Sequence, residues 1–311
     1  MEILKRQDLP CNFRYAVVTI GNFDGIHLGH QALFKETVSR ARQAKGEAVA
    51  VTFDPHPLQV LRPEKSLKLI CSLEQKIKLI QEAGLDYLLI LDFGPELASL
   101  EPEEFVEEIL VRGLGVKELI VGYDYRFGRQ RRGDTELLKI LGHRFGFKVI
   151  VIPPLKVNGF TVSSTLVREL VAEGDVATVR KLLGRPYRIC GKVVPGHGRG
   201  RRLLGFPTAN LKLSTDKLTP KVGVYAVLVH LPPKKVFPGV MNIGFNPTFG
   251  DGYLSAEVHL FDFRGELYDL HICIDLVARL RDEAKFASPE DLAAQIAKDC
   301  EKAREILARE Q

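Results

Sequence analysis

Residue types able to do chemistry gather at a few points of this chain, and the densest is Gly21-Asn22-Phe23-Asp24-Gly25-Ile26-His27-Leu28-Gly29-His30. Glycines allow close backbone approach, and His27 and His30, three apart, share one face once a helix has begun. Both rings could then donate to one polyphosphate. Either histidine alone reads more readily as a surface or satisfied core residue; the pair inside a glycine frame favours phosphate.

Three further clusters follow. In Thr52-Phe53-Asp54-Pro55-His56-Pro57 two prolines stiffen a turn, which either holds His56 toward a ligand or is only a rigid turn. Gly122-Tyr123-Asp124-Tyr125-Arg126-Phe127-Gly128, trailed by Arg129, Arg131 and Arg132, offers guanidinium groups beside aromatics for a phosphate and a planar ring, although a charge run is more often a solvated loop. Ser163-Ser164-Thr165-Leu166-Val167-Arg168 puts hydroxyls at a helix start with Arg168 one turn on, a pattern of ordinary caps or of phosphate contacts.

The second half carries Gly191-Lys192-Val193-Val194-Pro195-Gly196-His197-Gly198-Arg199-Gly200-Arg201-Arg202-Leu203-Leu204-Gly205-Phe206-Pro207-Thr208-Ala209-Asn210. It reads as a strand, a basic glycine-rich flap suited to phosphates, and a closing segment. The glycine run taken alone reads more readily as a disordered basic loop followed by a proline turn. Thr208 and Asn210, two apart on an extended chain, point to one side and offer hard oxygen ligands for Mg²⁺. In Leu254-Ser255-Ala256-Glu257-Val258-His259-Leu260 alternation sets Glu257 and His259 opposite Ala256, Val258 and Leu260, so Glu257 is a candidate base or a solvent-facing acid.

These residues need a scaffold. Residues 15–20 read as a buried strand and 31–44 as a helix, so the first motif sits at a strand's carboxyl end and a helix's start, where α/β sheets bind anions. Strands at 48–53, 87–91, 119–121 and 149–152 alternate with helices at 73–83, 105–111 and 136–145, which predicts a parallel sheet with helices on both faces. Helices at 163–172 and 176–183 close a first domain, 1–184. Past Gly184-Arg185-Pro186 the chain turns to β character at 187–194, 222–231, 236–243, 254–261 and 267–276, predicting an antiparallel barrel or sandwich in a second domain, 185–311. Ser288-Pro289-Glu290-Asp291 carries the cap, proline and acids of a terminal helix.

Composition narrows the classes. With 311 residues two domains are expected, and 45% hydrophobic with 27% charged residues is ordinary for a soluble globular protein. A net charge of +5 suits anionic small molecules and is too diffuse to indicate nucleic acid. The five cysteines are scattered, odd in number and without Cys-x-x-Cys, which argues against a disulfide framework or a zinc site and for a reducing cytosol. Neither a signal core nor a membrane-length apolar run is present, so a cytoplasmic protein is expected. No P-loop and no Gly-x-Gly-x-x-Gly fingerprint occurs.

Together, the Gly-x-Phe-Asp-Gly-x-His-x-Gly-His, Thr-Phe-Asp-Pro-His-Pro, Gly-x-Asp-x-Arg-Phe-Gly and Ser-Ser-Thr-x-Val-Arg segments resemble the adenylyltransferase half of the bacterial bifunctional riboflavin kinase/FAD synthetases. The Pro-Thr-Ala-Asn flap, Gly223-Val224-Tyr225-Ala226, Asn242-Ile243-Gly244-Phe245-Asn246-Pro247-Thr248-Phe249 and Leu280-Arg281-Asp282-Glu283 resemble the flavokinase half. The resemblance implies a Rossmann-like nucleotidyltransferase domain followed by a flavokinase barrel, with riboflavin, FMN, FAD, Mg²⁺ and ATP at two sites. It also implies roles. His27, His30 and Asn22 would serve the ATP phosphates, with Gly21, Phe23, Asp24, Gly25, Gly29, His56, Asp124, Arg126, Ser163, Ser164, Thr165 and Arg168 around them. Thr208 and Asn210 would hold Mg²⁺·ATP and Glu257 would be the kinase base, with Gly191, Lys192, Gly196, Gly198, Gly205, Phe206, Pro207 and Arg281 lining that site. Asp124 stands where some members carry asparagine, and Tyr268-Asp269 stands where Tyr-Gly is expected. Two other readings remain: a nucleotidyltransferase for a phosphopantetheine or nicotinamide nucleotide, and a barrel that only binds nucleic acid or senses flavin. The Pro-Thr-Ala-Asn segment speaks against the first, and the scarcity of aromatics among the flap arginines against the second.

Overall fold

Short runs of β-branched and aliphatic residues, buried on both faces, can only be strands of a covered sheet. In the computed structural model they form six parallel strands: β1 (Glu2–Lys5), β2 (Ala16–Ile20), β3 (Glu47–Asp54), β4 (Tyr87–Asp92), β5 (Val116–Gly122) and β6 (Lys148–Ile152). Residues 1–195, 208–245 and 254–309 are described. The order across the sheet is β1-β4-β3-β2-β5-β6. From β2 the chain proceeds to one side through β3 and β4, then returns to add β5 on the other side, so the carboxyl end of β2 is the sheet's switch point.

Helices α1 (Leu28–Ala44), α2 (Pro57–Leu61), α3 (Leu73–Glu82), α4 (Pro95–Ser99), α5 (Pro102–Phe105) and α6 (Thr135–Phe145) connect these strands, α5 running on through Val106–Gly113 in wider, π-type turns. Two cores result. One face packs Val17, Ala48, Ala50, Leu88 and Ile120 against Phe34 and Ala41 of α1 and Ile80 of α3; the other packs Val18, Val49, Leu89 and Leu119 against Val106, Leu110 and Leu138. The helix expected from residue 31 starts earlier, at Leu28, because His27 caps it. β1 had no sequence signal, since only Leu4 of its four residues is buried.

By compactness the chain divides into Met1–Ser164 and Thr165–Gln311, so most of α7 (Ser164–Glu173) and all of α8 (Val176–Leu183) count with the second unit. The short hairpin β7 (Lys156–Val157) and β8 (Phe160–Thr161) belongs to the first. The second unit is a closed antiparallel barrel of β9 (Tyr187–Val194), β10 (Ala209–Leu213), β11 (Gly223–Leu231), β12 (Lys235–Phe245), β13 (Leu254–Leu260) and β14 (His271–Arg281) in the order β10-β13-β12-β11-β14-β9. Alternation turns Tyr225, Val227, Met241, Ile243, Ala256 and Val258 inward, all fully buried. The opposite face of β11 meets the terminal helix α9 (Pro289–Leu307), whose Cys300, Ala303 and Leu307 pack on Val224 and Ala226. Ser288 caps α9 as expected, its hydroxyl accepting from Asp291 N–H at 3.1 Å.

Two expectations change. β14 begins at His271 rather than 267, because Asp269 turns the chain with φ +63°. The expectation of no disulfide is overturned: Cys190 on β9 and Cys273 on β14 are bonded. They stand 83 residues apart in sequence, and only the β9/β14 register sets them opposite one another.

Candidate functional site

The chain leaves β2 at Ile20 and enters α1 at Leu28 through a loop held in unusual backbone. Phe23 (φ +47°), Gly25 (φ +84°) and Ile26 (φ +41°) all lie in the left-handed region. Burial stabilises this shape: Phe23 is wholly enclosed and packs edge-on against Phe34, ring centroids 4.8 Å apart. The Asp24 carboxylate accepts from Ile70 N–H at 3.0 Å and Cys71 N–H at 3.2 Å, and the Ser164 hydroxyl donates to Asp24 O at 2.9 Å. Asp24 thus clasps the loop. The glycines also answer to the protein's own packing, since a Cβ at Gly21 would lie 2.8 Å from the Phe23 ring, one at Gly25 2.7 Å from Ile70, and one at Gly29 3.1 Å from the His27 ring.

The clasped loop delivers the histidines. His27 is the N-cap of α1, its Nδ1 accepting from His30 N–H at 3.3 Å, so the donor left to this ring is Nε2. His30, in the first helical turn, stacks on it with centroids 3.7 Å apart and planes 17° from parallel. The Nδ1 of His30 is buried and has no hydrogen-bond partner among the described residues. Burial first, then the neighbouring His27 and Lys76, hold the His30 pKa well below the ordinary imidazole value. An anion arriving at this helix N-terminus meets two imidazoles and the dipole.

Other first-unit candidates separate by role. Asn22 is exposed beside this pair, and its carbonyl accepts from the Thr52 hydroxyl at 3.3 Å. His56 follows a cis Asp54-Pro55 bond and caps α2, its Nδ1 accepting from Leu58 N–H at 3.1 Å. Asp124 and Arg126 are exposed, and Arg126 pairs with Asp134 at 3.0 Å. Ser163 precedes α7; Thr165 and Arg168 lie on α7 in the second unit.

On the barrel, register builds a second site. Asn210 of β10 stands opposite Glu257 of β13, and Glu257 stands opposite Asn242 of β12. All three occupy the outward-facing positions of their strands, being half-buried while their neighbours are buried. A carboxylate is thereby flanked by two amides, and Thr208, exposed, lies two residues before Asn210 on the same strand approach. Gly191 meets a packing need, since a Cβ there would lie 2.6 Å from Lys212 O. Lys192 is exposed and pairs with Asp269 at 2.8 Å. Arg281 is engaged by Asp299 of α9 at 2.7 Å. Gly196, Gly198, Gly205, Phe206 and Pro207, with the Asn246–Phe249 end of the Asn-Ile-Gly segment, lie outside the described residues.

Two buried or flanking residues escaped the sequence reading. Asn242 becomes a neighbour of Glu257 only through β12/β13 pairing. Lys76 is buried at 6% exposure near His30; its signal is a lysine on the apolar stripe of α3, three after Leu73 and four before Ile80.

A parallel α/β unit with a glycine-framed histidine pair at its switch point, joined to a barrel with a carboxylate residue opposite two amide residues, is the architecture of a two-module nucleotide-using transferase. The FAD synthetase family profile matches residues 10–166 and the riboflavin kinase profile residues 183–307. The bifunctional riboflavin kinase/FMN adenylyltransferase of Escherichia coli K12 is 40% identical over 94% of this chain and 92% of its own. That of Pseudomonas fluorescens is 42% identical over 95% and 94%. A crystal structure titled as a macrolide-efflux protein from Streptococcus pneumoniae superposes with TM-score 0.88 at 32% identity, covering 98% of this chain and 99% of that one. Among the described residues no helix is long and apolar enough to cross a membrane. The chain belongs to the bifunctional riboflavin kinase/FMN adenylyltransferase family, with the FAD synthetase domain first and the riboflavin kinase domain second.

Proposed function

We propose that residues 1–184 adenylylate FMN and residues 185–311 phosphorylate riboflavin, each with its own ATP, in the cytoplasm and without nucleic-acid or membrane partners. The observation carrying the first assignment is the stacked His27–His30 pair at a helix N-terminus on the sheet's switch point. FMN phosphate is already anionic at neutral pH and needs no base. One of its oxygens attacks the α-phosphorus of ATP, the bond to the β-phosphate oxygen breaks, and pyrophosphate leaves with the electron pair. His27 Nε2 and the His30 ring donate to the phosphates as charge builds on that leaving group, and Asn22 orients them.

In the barrel, Glu257 takes the proton of the ribityl 5′-hydroxyl as that oxygen attacks the γ-phosphorus of the second ATP; the bond from that phosphorus to the β-phosphate oxygen breaks and ADP leaves with the electron pair. Asn210 and Asn242 stand opposite Glu257 on the neighbouring strands. The donors here are the hydroxyl of Thr208, the amide of Asn210 and the Glu257 carboxylate, an all-oxygen set that fits Mg²⁺. Thr208 and Asn210 would hold Mg²⁺, which when bound neutralises developing phosphate charge.

Chromatography of products from riboflavin, ATP and Mg²⁺ tests the reading. Sequential appearance of FMN and then FAD is expected. FMN accumulating without FAD would remove the adenylyltransferase assignment, and unreacted riboflavin with FAD made from supplied FMN would remove the kinase assignment.

A further inference from the structure

Lys76 is charged, buried at 6% exposure and joined to no carboxylate among the described residues. The only side-chain hydrogen bond it makes there is a long one, Nζ donating to the Thr52 hydroxyl at 3.4 Å. That hydroxyl donates in turn to Asn22 O at 3.3 Å, so the ammonium is tethered beneath the first residues of the phosphate-receiving loop. The charge also reaches His30, whose proton it helps to expel.

A structural lysine in such a place has a partner. Lys217, the other buried lysine among the described residues, sits over the Tyr187 ring at 4.5 Å. Arg281 shows what a structural cation looks like here, with its guanidinium on Asp299 at 2.7 and 3.0 Å. Lys76 has neither arrangement. Burying a cation with one weak hydrogen bond costs stability that the protein alone does not recover, and the cost is offset when an anion arrives. The anions that reach this edge of the sheet, on the adenylyltransferase reading on which this inference rests, are the phosphates of ATP and FMN.

We infer that Lys76 is a substrate-contacting residue of the adenylyl-transfer site, its ammonium binding a phosphate oxygen beside His30 and Asn22. Neither proton nor electron pair passes through it; it supplies positive charge where the five-coordinate phosphorus gathers negative charge. The partner oxygen belongs to ATP or to FMN, and the measurements below separate them.

The full chain is prepared as wild type, Lys76→Met and Lys76→Arg, and assayed for FAD from FMN, ATP and Mg²⁺, and for FMN from riboflavin. Thermal unfolding is followed without ligand and with magnesium pyrophosphate. Lys76→Met should lose FAD synthesis by about 100-fold while riboflavin phosphorylation is unchanged and the ligand-free melting temperature is no lower than wild type. Lys76→Arg should recover part of the lost rate. Loss of the pyrophosphate-induced rise in melting temperature assigns the contact to the ATP side; a retained rise with a raised KM for FMN assigns it to FMN. FAD synthesis within threefold of wild type in Lys76→Met overturns the inference. So does a lowered ligand-free melting temperature or a failure to fold, because a cation kept for phosphate is dispensable for folding. A wild-type chain that makes no FAD would instead remove the adenylyltransferase reading itself.

Discussion

Glu257 and Asn210 stand directly opposite each other across β13 and β10, although 47 positions separate them in the numbering. Both project from the outer face of the barrel, where Asn242 completes the row from β12. Its two cross-strand neighbours are amides that neither take nor give a proton at neutral pH, which leaves Glu257 the one acid of the row.

Replacing Glu257 by Gln keeps the shape and removes the base. FMN formation from riboflavin is expected to fall by about 10²–10⁴-fold, with FAD formation from supplied FMN unchanged. Equal loss of both activities in a folded protein would show that the carboxylate does not serve the kinase step alone.

His30→Ala should act in the opposite sense. Removing one donor from the phosphate site costs about 10²–10³-fold in turnover, so FAD formation collapses while FMN accumulates from riboflavin. The readout is the FMN to FAD product ratio over time, and an unaltered ratio would count against the assignment.

The same histidine predicts a pH effect on stability. Its pKa in the folded chain lies well below the ordinary 6.5. Below pH 6.5 the unfolded chain therefore binds the proton while the folded one does not, and stability falls as pH drops through that window; above it the contribution is fully present. His30→Gln should flatten the decline in urea midpoint between about pH 6.5 and 5. A variant that keeps the wild-type slope would place the titration elsewhere.

Asp269 occupies a left-handed turn at φ +63°, where the resemblance leads one to expect glycine. Its N–H donates to Val193 O at 3.1 Å, so the turn is fixed from both sides. Short polar side chains tolerate this region and branched ones do not. Asp269→Gly should be at least as stable as wild type, and Asp269→Val less stable by about 1–2 kcal/mol, as measured by chemical denaturation. The reverse order would mean that the Lys192 ion pair, rather than the backbone, governs this turn.

Asp299 of α9 is buried and receives three hydrogen bonds from Arg281 and one from Gln295. Asp299→Ala leaves a guanidinium with a side-chain exposure of 22% unpaired and should cost about 3 kcal/mol. Riboflavin phosphorylation should weaken with heating before FAD synthesis does. Concurrent loss of the two activities on heating would argue that α9 does not stabilise the barrel separately.

Much of this protein is local and therefore legible in its residues. Alternating strand and helix patterns set the parallel strands and their helices, Ser288-Pro289 starts α9, and the glycine-framed histidines mark the turn from β2 into α1, because each depends on neighbours within a few positions. Even Lys76 left a trace, as a charge on an apolar stripe. What the residues alone did not determine is long-range register and burial. The Cys190–Cys273 bond, the Asn210–Glu257–Asn242 row and the packing of Asp24 and Gly25 against Ile70 and Cys71 all arise when segments far apart in sequence meet. Whether a side chain serves the protein or a substrate depends on which partners the fold brings within reach, and only tertiary structure decides that.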